Sequence, residues 1–322
     1  MRFRLPKAAA VAATLAGHLA LAGGGVQAAE RIYVLSQSAA ALSEIADGAE
    51  KAVPAVTLDK APAALALAPD TGLAYVTHPD LGQVSVVDLG AKRVVRPLAV
   101  AGWPFGVAVT RDGRLFVGDW NGAHVSVLGV EGDTSLETVE VGRAPAHLLL
   151  SPDETLLFVA NRESDSVSVV RTGDLSVAAT IPVDRAPFAM ALSPDAARLY
   201  VGNVQAGTVS VIDTGTLKVV ETLTSGAMPY GAAVTPDGAR VLVTNQQAST
   251  VSVLGHGSAP PATIKVGGYP EGVVISADGT RAYVANWFSD DVSVLDLASL
   301  KELRRIKCPG GPRGIVATTG PP

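Results

Sequence analysis

Large aromatic side chains recur in short segments of the chain that are rich in Gly, Pro and Asn. Eight of them lie outside any regular β-type alternation: Trp103, Phe105, Trp120, Phe188, Tyr230, Tyr269, Trp287 and Phe288. Pockets for small molecules favour aromatic walls with a few polar groups. These rings therefore indicate a binding surface. The alternative interpretation is that they fill the mouth of a channel and pack on one another.

Charged groups occur in the same segments as the rings. Arg143, Arg185 and Arg313 are the cations of most interest, and Glu271 is the acid. A guanidinium group binds carboxylate or phosphate through paired hydrogen bonds, so the arginines are candidates for holding an anionic ligand or partner. For any single arginine, solvated loop charge is the simpler interpretation. Beside the aromatic set, the three together favour a binding face.

Three histidines are the candidates for a metal site: His78, His124 and His147. No HxH or HExxH spacing supports such a site, and zinc or copper would need the side chains to converge. The sequence also lacks a nucleophile elbow, a Walker loop, a Rossmann glycine pattern and a CxxCH haem site. We therefore expect no cofactor and no catalytic residues, with a bound metal ion as the alternative; whether the protein is an enzyme stays open.

The elements that must position these side chains follow from a repeat. A proline recurs at intervals of 42, 41, 42, 42, 41 and 42 residues, at Pro62, Pro104, Pro145, Pro187, Pro229, Pro270 and Pro312. Each copy contains four short β-patterned runs, as in Pro145 to Asp184. A period in the low forties with four strands per copy is typical of a propeller blade. The sequence predicts an all-β, seven-bladed β-propeller with four antiparallel strands per blade.

Each copy carries the same local signals. The first strand ends in a turn such as Thr235-Pro236-Asp237-Gly238, where the Asp side chain is expected to cap the turn. The second strand carries a large packing residue and, three residues later, a polar residue that is Asn in four copies; we expect this Asn to bond the turn backbone. The third strand reads Val-Ser-Val. His147 replaces a residue that is Gly in other copies, so its side chain is expected to enter the axial channel.

The ends of the chain predict how the ring closes. Residues 31–36 match a second strand, and a lone first strand follows Pro312. Three strands at the front and one at the back complete the seventh blade. We expect the C-terminal strand to pair with residues 31–36, which removes exposed sheet edges.

The repeats resemble a known family. Phe158-Val159-Ala160-Asn161, Tyr200-Val201-Gly202-Asn203 and Tyr283-Val284-Ala285-Asn286, each followed by Val-Ser-Val, look like the repeats of YVTN-family β-propellers. The resemblance covers residues 29–322 and implies the propeller fold. Similar members are exported binding or surface proteins, and more distant relatives include the propeller subunits of periplasmic quinoprotein amine dehydrogenases.

The first 28 residues resemble a secretory signal. Arg2, Arg4 and Lys7 precede an apolar run, and Val26-Gln27-Ala28 suits cleavage. Removing them would change the formal net charge from −5 to −8, since they hold three basic residues and no acidic ones. An acidic surface disfavours general nucleic-acid binding. We expect a periplasmic or secreted monomer with no membrane span.

The function that these features favour is non-catalytic binding. The expected occupant of the aromatic and arginine-lined face is a small molecule or a periplasmic or surface protein. Two alternatives stay open. One is a propeller subunit or accessory protein of a periplasmic redox system, similar to the amine dehydrogenases. The other is a metal-dependent hydrolase or lactonase with its site in the central channel.

Overall fold

The computed structural model describes residues 30–46, 48–68, 70–129, 137–255 and 261–319. The expected signal segment, residues 1–28, lies outside these ranges. Within them the chain forms seven four-stranded antiparallel sheets arranged as blades. The all-β, seven-bladed prediction is confirmed. Among the described residues, no helix is long and apolar enough to cross a membrane.

The blades are numbered from the N-terminus, and blade 1 takes its innermost strand from the C-terminus. Blade 1 contains β1 (Glu30–Ser36), β2 (Ala41–Ile45), β3 (Val53–Thr57) and β28 (Pro312–Thr319); blade 2, β4 (Leu65–Leu67), β5 (Leu73–His78), β6 (Gln83–Asp88) and β7 (Arg93–Ala99); blade 3, β8 (Pro104–Val109), β9 (Arg114–Asp119), β10 (His124–Gly129) and β11 (Glu137–Glu140); blade 4, β12 (Pro145–Leu150), β13 (Leu156–Asn161), β14 (Ser166–Arg171) and β15 (Val177–Pro182). Blade 5 contains β16 (Pro187–Leu192), β17 (Arg198–Asn203), β18 (Thr208–Asp213) and β19 (Lys218–Thr224); blade 6, β20 (Pro229–Val234), β21 (Arg240–Asn245), β22 (Thr250–Gly255) and β23 (Ala262–Lys265); blade 7, β24 (Pro270–Ile275), β25 (Arg281–Asn286), β26 (Asp291–Asp296) and β27 (Lys301–Lys307). One 3-10 turn, Pro79–Leu81, joins β5 to β6.

The ring closes through strand pairing between the two ends of the described chain. β28 pairs antiparallel with β1, from Glu30 opposite Thr319 to Ser36 opposite Pro312. The predicted closure is confirmed. Because β28 is both the inner strand of blade 1 and a neighbour of blade 7, it joins two blades at once.

The core lies in the seams between blades. Tyr283 of blade 7 packs with Ile32, Val34 and Ile315 of blade 1. Phe116 of blade 3 packs in the same way against blade 4. Fully burying a side chain of this size stabilises the fold by roughly 1.5–3 kcal/mol, and the gain recurs at every seam.

The turns between the first and second strands repeat one set of bonds. Asp237 accepts hydrogen bonds from Thr235 Oγ1 at 2.5 Å and from the backbone N–H of Ala239 at 2.9 Å. Asp195 and Asp278 make the same contacts in blades 5 and 7. These bonds lower the pKa of each carboxyl. Hydrogen bonding to the ionised form accounts for this direction, so the aspartates serve the turns as predicted.

The strand-two asparagines act differently from the prediction. Asn161 Nδ2 donates to Ser168 Oγ at 2.9 Å and to Ser166 Oγ at 3.1 Å, both on the neighbouring strand β14. Asn203, Asn245 and Asn286 make equivalent bonds in blades 5 to 7. The predicted bond to the turn backbone is wrong for Asn161, Asn203 and Asn286, whose Oδ1 atoms have no hydrogen-bond partner because the side chain lies across the sheet. Asn245 does bond loop backbone, since its Oδ1 accepts the N–H of Gly226 at 2.9 Å. The bond from asparagine to serine also explains the serine of Val-Ser-Val.

Candidate functional site

A cavity on the ring axis is lined by the inner strands of all seven blades. Its volume is about 230 Å³. The residue that follows each repeat proline contributes to its wall in every blade: Ala63, Phe105, Ala146, Phe188, Tyr230, Glu271 and Arg313. The backbone position is the same seven times, but the side chain differs, so one geometry presents a varied set of groups to one space.

A β-bulge places these side chains. In blades 3 to 7 the pairing of the inner strand shifts register directly after the repeat proline, as between Pro145 and His147 or Pro229 and Gly231. A bulge leaves a residue unpaired and redirects its side chain. The close approach of neighbouring inner strands also excludes side chains at the glycine position that follows: a Cβ on Gly231 would lie 2.1 Å from the Glu271 carbonyl oxygen. Large groups are therefore admitted mainly at the position after the proline.

Four rings from three blades form one cluster at the mouth of the cavity. Trp120 and Phe105 have ring centroids 4.6 Å apart, Phe105 and Phe188 5.9 Å, and Phe188 and Tyr230 4.1 Å in a stacked arrangement. Ala146, Ala186 and Val204 pack beneath them. The sequence predicted one surface for all eight rings, and the structure brings these four together. Their mutual packing is also what the channel-filling alternative expects.

Arg313 links this cluster to Glu271 and Trp287 of blade 7. Its guanidinium lies 5.6 Å from the Phe105 ring centroid and 5.4 Å from that of Trp287. Its Nη2 donates to Tyr230 Oη at 3.0 Å, and its Nε lies 3.3 Å from Glu271 Oε2. The Arg313 side chain is nine-tenths buried, which strengthens cation–π and ionic contacts relative to water.

Glu271 is the buried acid of the cavity. It is 4 % exposed, and its Oε1 accepts a hydrogen bond from Gln246 Nε2 at 2.8 Å. Burial raises the pKa of Glu271, and the nearby Arg313 charge only partly opposes this. Its Oε2 receives no well-directed hydrogen bond. Burial likewise raises the pKa of Tyr230, so its phenol stays protonated at neutral pH.

His147 lies on the cavity wall, as its replacement of a glycine predicted. Its Nδ1 accepts the backbone N–H of Met190 at 3.0 Å. The proton of the neutral ring must therefore be on Nε2. Burial lowers the pKa of His147 to about 4, so the ring is neutral at pH 7. In this state His147 offers the cavity a hydrogen-bond donor and no free lone pair for a metal.

The other two histidines lie away from His147 in the strand network. His78 is buried, with Nδ1 3.0 Å from the Lys60 carbonyl oxygen and Nε2 3.0 Å from Ser85 Oγ. His124 lies at the start of β10 with Nε2 3.9 Å from Asp119 Oδ2. Among the described residues no group of three or more His, Cys, Asp or Glu is placed to hold a metal ion.

The remaining candidates do not line the cavity. Arg143 is exposed and donates from Nη2 to the Glu163 carbonyl oxygen at 2.8 Å; Arg185 is exposed as well. Trp103 is 39 % exposed and outside the ring cluster. Tyr269 adopts a left-handed backbone conformation, φ 59°, and packs on Phe288 at 4.5 Å instead of joining the cluster.

Gln246, which bonds Glu271, was not among the predicted residues. Arg162, a charged residue expected on this face but not chosen as a site residue, lies 5.5 Å over the Trp120 ring. Both follow directly after the strand-two asparagine, which is the position that Trp120 and Trp287 occupy in their own copies. Aligning the repeats at this position would have identified them.

Comparisons with known proteins support the fold alone. No family model matches the chain, and no curated protein matches it in sequence. Solved structures do match. A candidate 6-phosphogluconolactonase of Bacteroides uniformis has a TM-score of 0.77 at 16% identity and covers 91% of this chain and 100% of its own. Kuenenia stuttgartiensis hydrazine synthase has a TM-score of 0.72 at 19% identity, covering 80% and 95%. A functionally unknown protein of Desulfotomaculum acetoxidans has a TM-score of 0.75 at 14% identity, covering 89% and 98%. The chain is thus similar in fold to seven-bladed propellers, and the likeness to YVTN repeats has no further support from these comparisons.

Proposed function

We propose that the protein is a binding propeller whose ligand occupies the axial cavity through its aromatic mouth. One observation carries this proposal: the seven positions after the seven repeat prolines hold five different residue types, yet all line one cavity. A purely structural plug needs only apolar side chains. Here the wall also holds a buried arginine, a buried glutamate and a histidine donor, whose burial costs free energy.

The size and the wall indicate the kind of occupant. A cavity of about 230 Å³ is smaller than the usual range for drug-sized ligands, roughly 300–1,000 Å³. It suits a molecule built around one ring, or a single protruding side chain of a partner protein. Arg162 over the Trp120 ring, and Arg143 and Arg185 two residues before Pro145 and Pro187, would attract an anionic occupant.

Binding is favoured over catalysis by how the polar groups of the cavity are engaged. Glu271 contacts Arg313 and Gln246, Tyr230 accepts from Arg313, and His147 Nδ1 accepts from Met190. In the described wall no nucleophile is hydrogen-bonded to a general base. The similar fold of hydrazine synthase and of a candidate lactonase leaves the redox and hydrolase alternatives as weaker proposals. The residues 1–28 support action outside the cytoplasm.

The chain contains a built-in reporter for this proposal. Its three tryptophans all belong to the mouth side of the ring, so their fluorescence should respond to occupancy. We expect benzamide and benzoate to change the emission in a saturable way. Phe105→Ala should weaken this binding at least tenfold, because Phe105 contacts Trp120, Phe188 and Arg313.

The matched control is Phe288→Ala, the same substitution at a ring that is 72 % exposed and outside the cavity wall. Its affinity for both probes should equal that of the parent protein. Absence of saturable binding by every one-ring probe, or equal binding by Phe105→Ala, would contradict the proposal.

A further inference from the structure

The cavity wall holds three hydrogen-bond donors for which the described residues supply no acceptor. His147 carries its proton on Nε2, and among the described residues this atom contacts no acceptor. Arg313 uses Nε and Nη2, while Nη1 contacts no described acceptor. Tyr230 accepts from Arg313, which leaves its own O–H free to donate. Because these three donors surround one small and largely apolar space, they favour a ligand that carries hydrogen-bond acceptor atoms.

Two side-chain acceptor atoms beside the cavity are buried and receive no hydrogen bond. Glu271 Oε2 and Gln246 Oε1 are both fully buried atoms without a hydrogen-bond donor. Glu271 Oε2 is close to Arg313 Nε, but the approach is not that of a good hydrogen bond. A buried carboxylate with one unsatisfied oxygen is a poor counter-ion and is costly to keep ionised. A ligand acceptor that is better placed for the Arg313 guanidinium could therefore replace the Glu271 carboxylate.

We propose that the cavity binds small organic carboxylates with an aromatic or apolar body, and that the ligand carboxylate replaces Glu271 as the partner of Arg313 while Glu271 takes up one proton. This deepens the proposed binding function and rests on it. The ligand ring packs against Phe105, Phe188 and Met190 in the cavity wall, and its carboxylate oxygens receive the donors of Arg313 and His147. Paired N–H donors on Arg313 favour a planar carboxylate over a single acceptor atom.

The charge balance of the cavity explains why Glu271 takes up a proton when a ligand carboxylate binds. Two carboxylates beside one guanidinium in a dry cavity would leave a buried net negative charge. The titratable or charged groups facing Glu271 are Arg313 from β28 and Tyr230 from β20, with Tyr269 and Arg162 acting on Tyr230 from beyond. Across the cavity lies His147. Burial raises the pKa of Glu271, so of these groups it accepts a proton most readily after the ligand carboxylate arrives.

The test compares benzoate with benzamide, which has the same ring and no charge. Fluorescence titration between pH 5.5 and 8 should show benzoate affinity rising as the pH falls, by up to tenfold per pH unit over the range in which Glu271 is ionised in the free protein, since one proton is bound per ligand. Benzamide affinity should not change with pH. Calorimetry of benzoate binding at pH 7 in two buffers of different ionisation enthalpy should give an uptake close to one proton.

Glu271→Gln should bind benzoate at least tenfold more tightly than the parent at pH 7.5 and show no pH dependence, because the competitor is gone. Arg313→Gln should lose benzoate affinity by about 100-fold, the loss of two charge-assisted hydrogen bonds. Glu221→Gln, the same change on the exposed outer strand β19, is the matched control and should behave as the parent. Benzamide binding by each variant verifies that it is folded.

Three results would overturn the proposal. If benzamide binds and benzoate binds no better at any pH, the binding function stands and the carboxylate class fails. If the pH dependence persists in Glu271→Gln but disappears in His147→Gln, the proton goes to His147 and the role of Glu271 is wrong. If neither probe binds to the folded parent protein, the proposed function fails together with this inference.

Discussion

The two faces of the ring use the same backbone for opposite purposes. On the turn face, between first and second strands, Asp195, Asp237 and Asp278 make the same pair of hydrogen bonds in their blades. On the mouth face, the residue after the repeat proline is Ala, Phe, Tyr, Glu or Arg. The turn positions keep the same residue and the same hydrogen bonds, so they maintain the ring. The position after the repeat proline keeps its place in the blade but changes its residue, so it can form a binding site.

Removing the closing strand should give the largest effect, because it acts on both faces at once. Deleting residues 309–322 removes β28, with its pairing to β1 and its contact with blade 7. We expect the melting temperature to fall by more than about 10 °C, since several kcal/mol of packing and strand pairing are lost and each is worth a few degrees in a domain of this size. Thermal circular dichroism measures this. An unchanged transition would mean that closure contributes nothing.

Arg313→Ala should be the most costly single change on the mouth face. It leaves Glu271 buried and unpaired, for which the expected loss is roughly 3 kcal/mol in the free energy of unfolding. Chemical denaturation measures the loss. The double variant Arg313→Ala/Glu271→Gln should recover part of it, because the uncompensated charge is removed. Equal stability of the single and double variants would show that the pair is not coupled.

Much of the difference between the turn face and the mouth face could be predicted from the sequence. The part that could not be predicted depends on the direction in which individual side chains point. The repeat prolines predicted the seven blades, and the two chain ends predicted the pairing of β28 with β1. Convergence of Phe105, Phe188 and Tyr230 followed from their shared place in the repeat.

The contacts of individual side chains were less accessible. The asparagine bonds were misassigned, because a pattern gives the position of Asn161 but not whether its amide lies along the turn or across the sheet. Nor could spacing show that Tyr269, one residue before a proline, packs on Phe288 instead of joining the cluster. The pairing of Arg313 with Glu271 needed the ring in three dimensions.

His147 should make the mouth sensitive to acid. Its pKa in the folded protein, about 4, lies below the ordinary value of 6.5, so the unfolded chain binds the proton more readily. Stability from this residue is complete above about pH 6.5 and is lost as the pH falls toward 4. His147→Gln removes the titrating group, so its melting temperature should fall less than that of the parent between pH 7 and pH 4.5. A parallel fall in both proteins would contradict the burial of a neutral imidazole.

The turn face should give the smallest and most uniform effects. Asp195→Ala and Asp237→Ala each remove two hydrogen bonds to an exposed turn, and we expect each to lower the melting temperature by only about 2–4 °C. Because both residues sit in the same local bonds, the two losses should agree closely, and neither variant should change the binding of benzoate or benzamide. Substitutions at the position after the repeat proline, such as Phe105→Ala, should show the reverse: unequal stabilities from blade to blade and a direct effect on binding. If a turn variant altered probe affinity as strongly as Phe105→Ala does, the division between a face that maintains the ring and a face that binds would be wrong, since both would then act through the stability of the whole propeller.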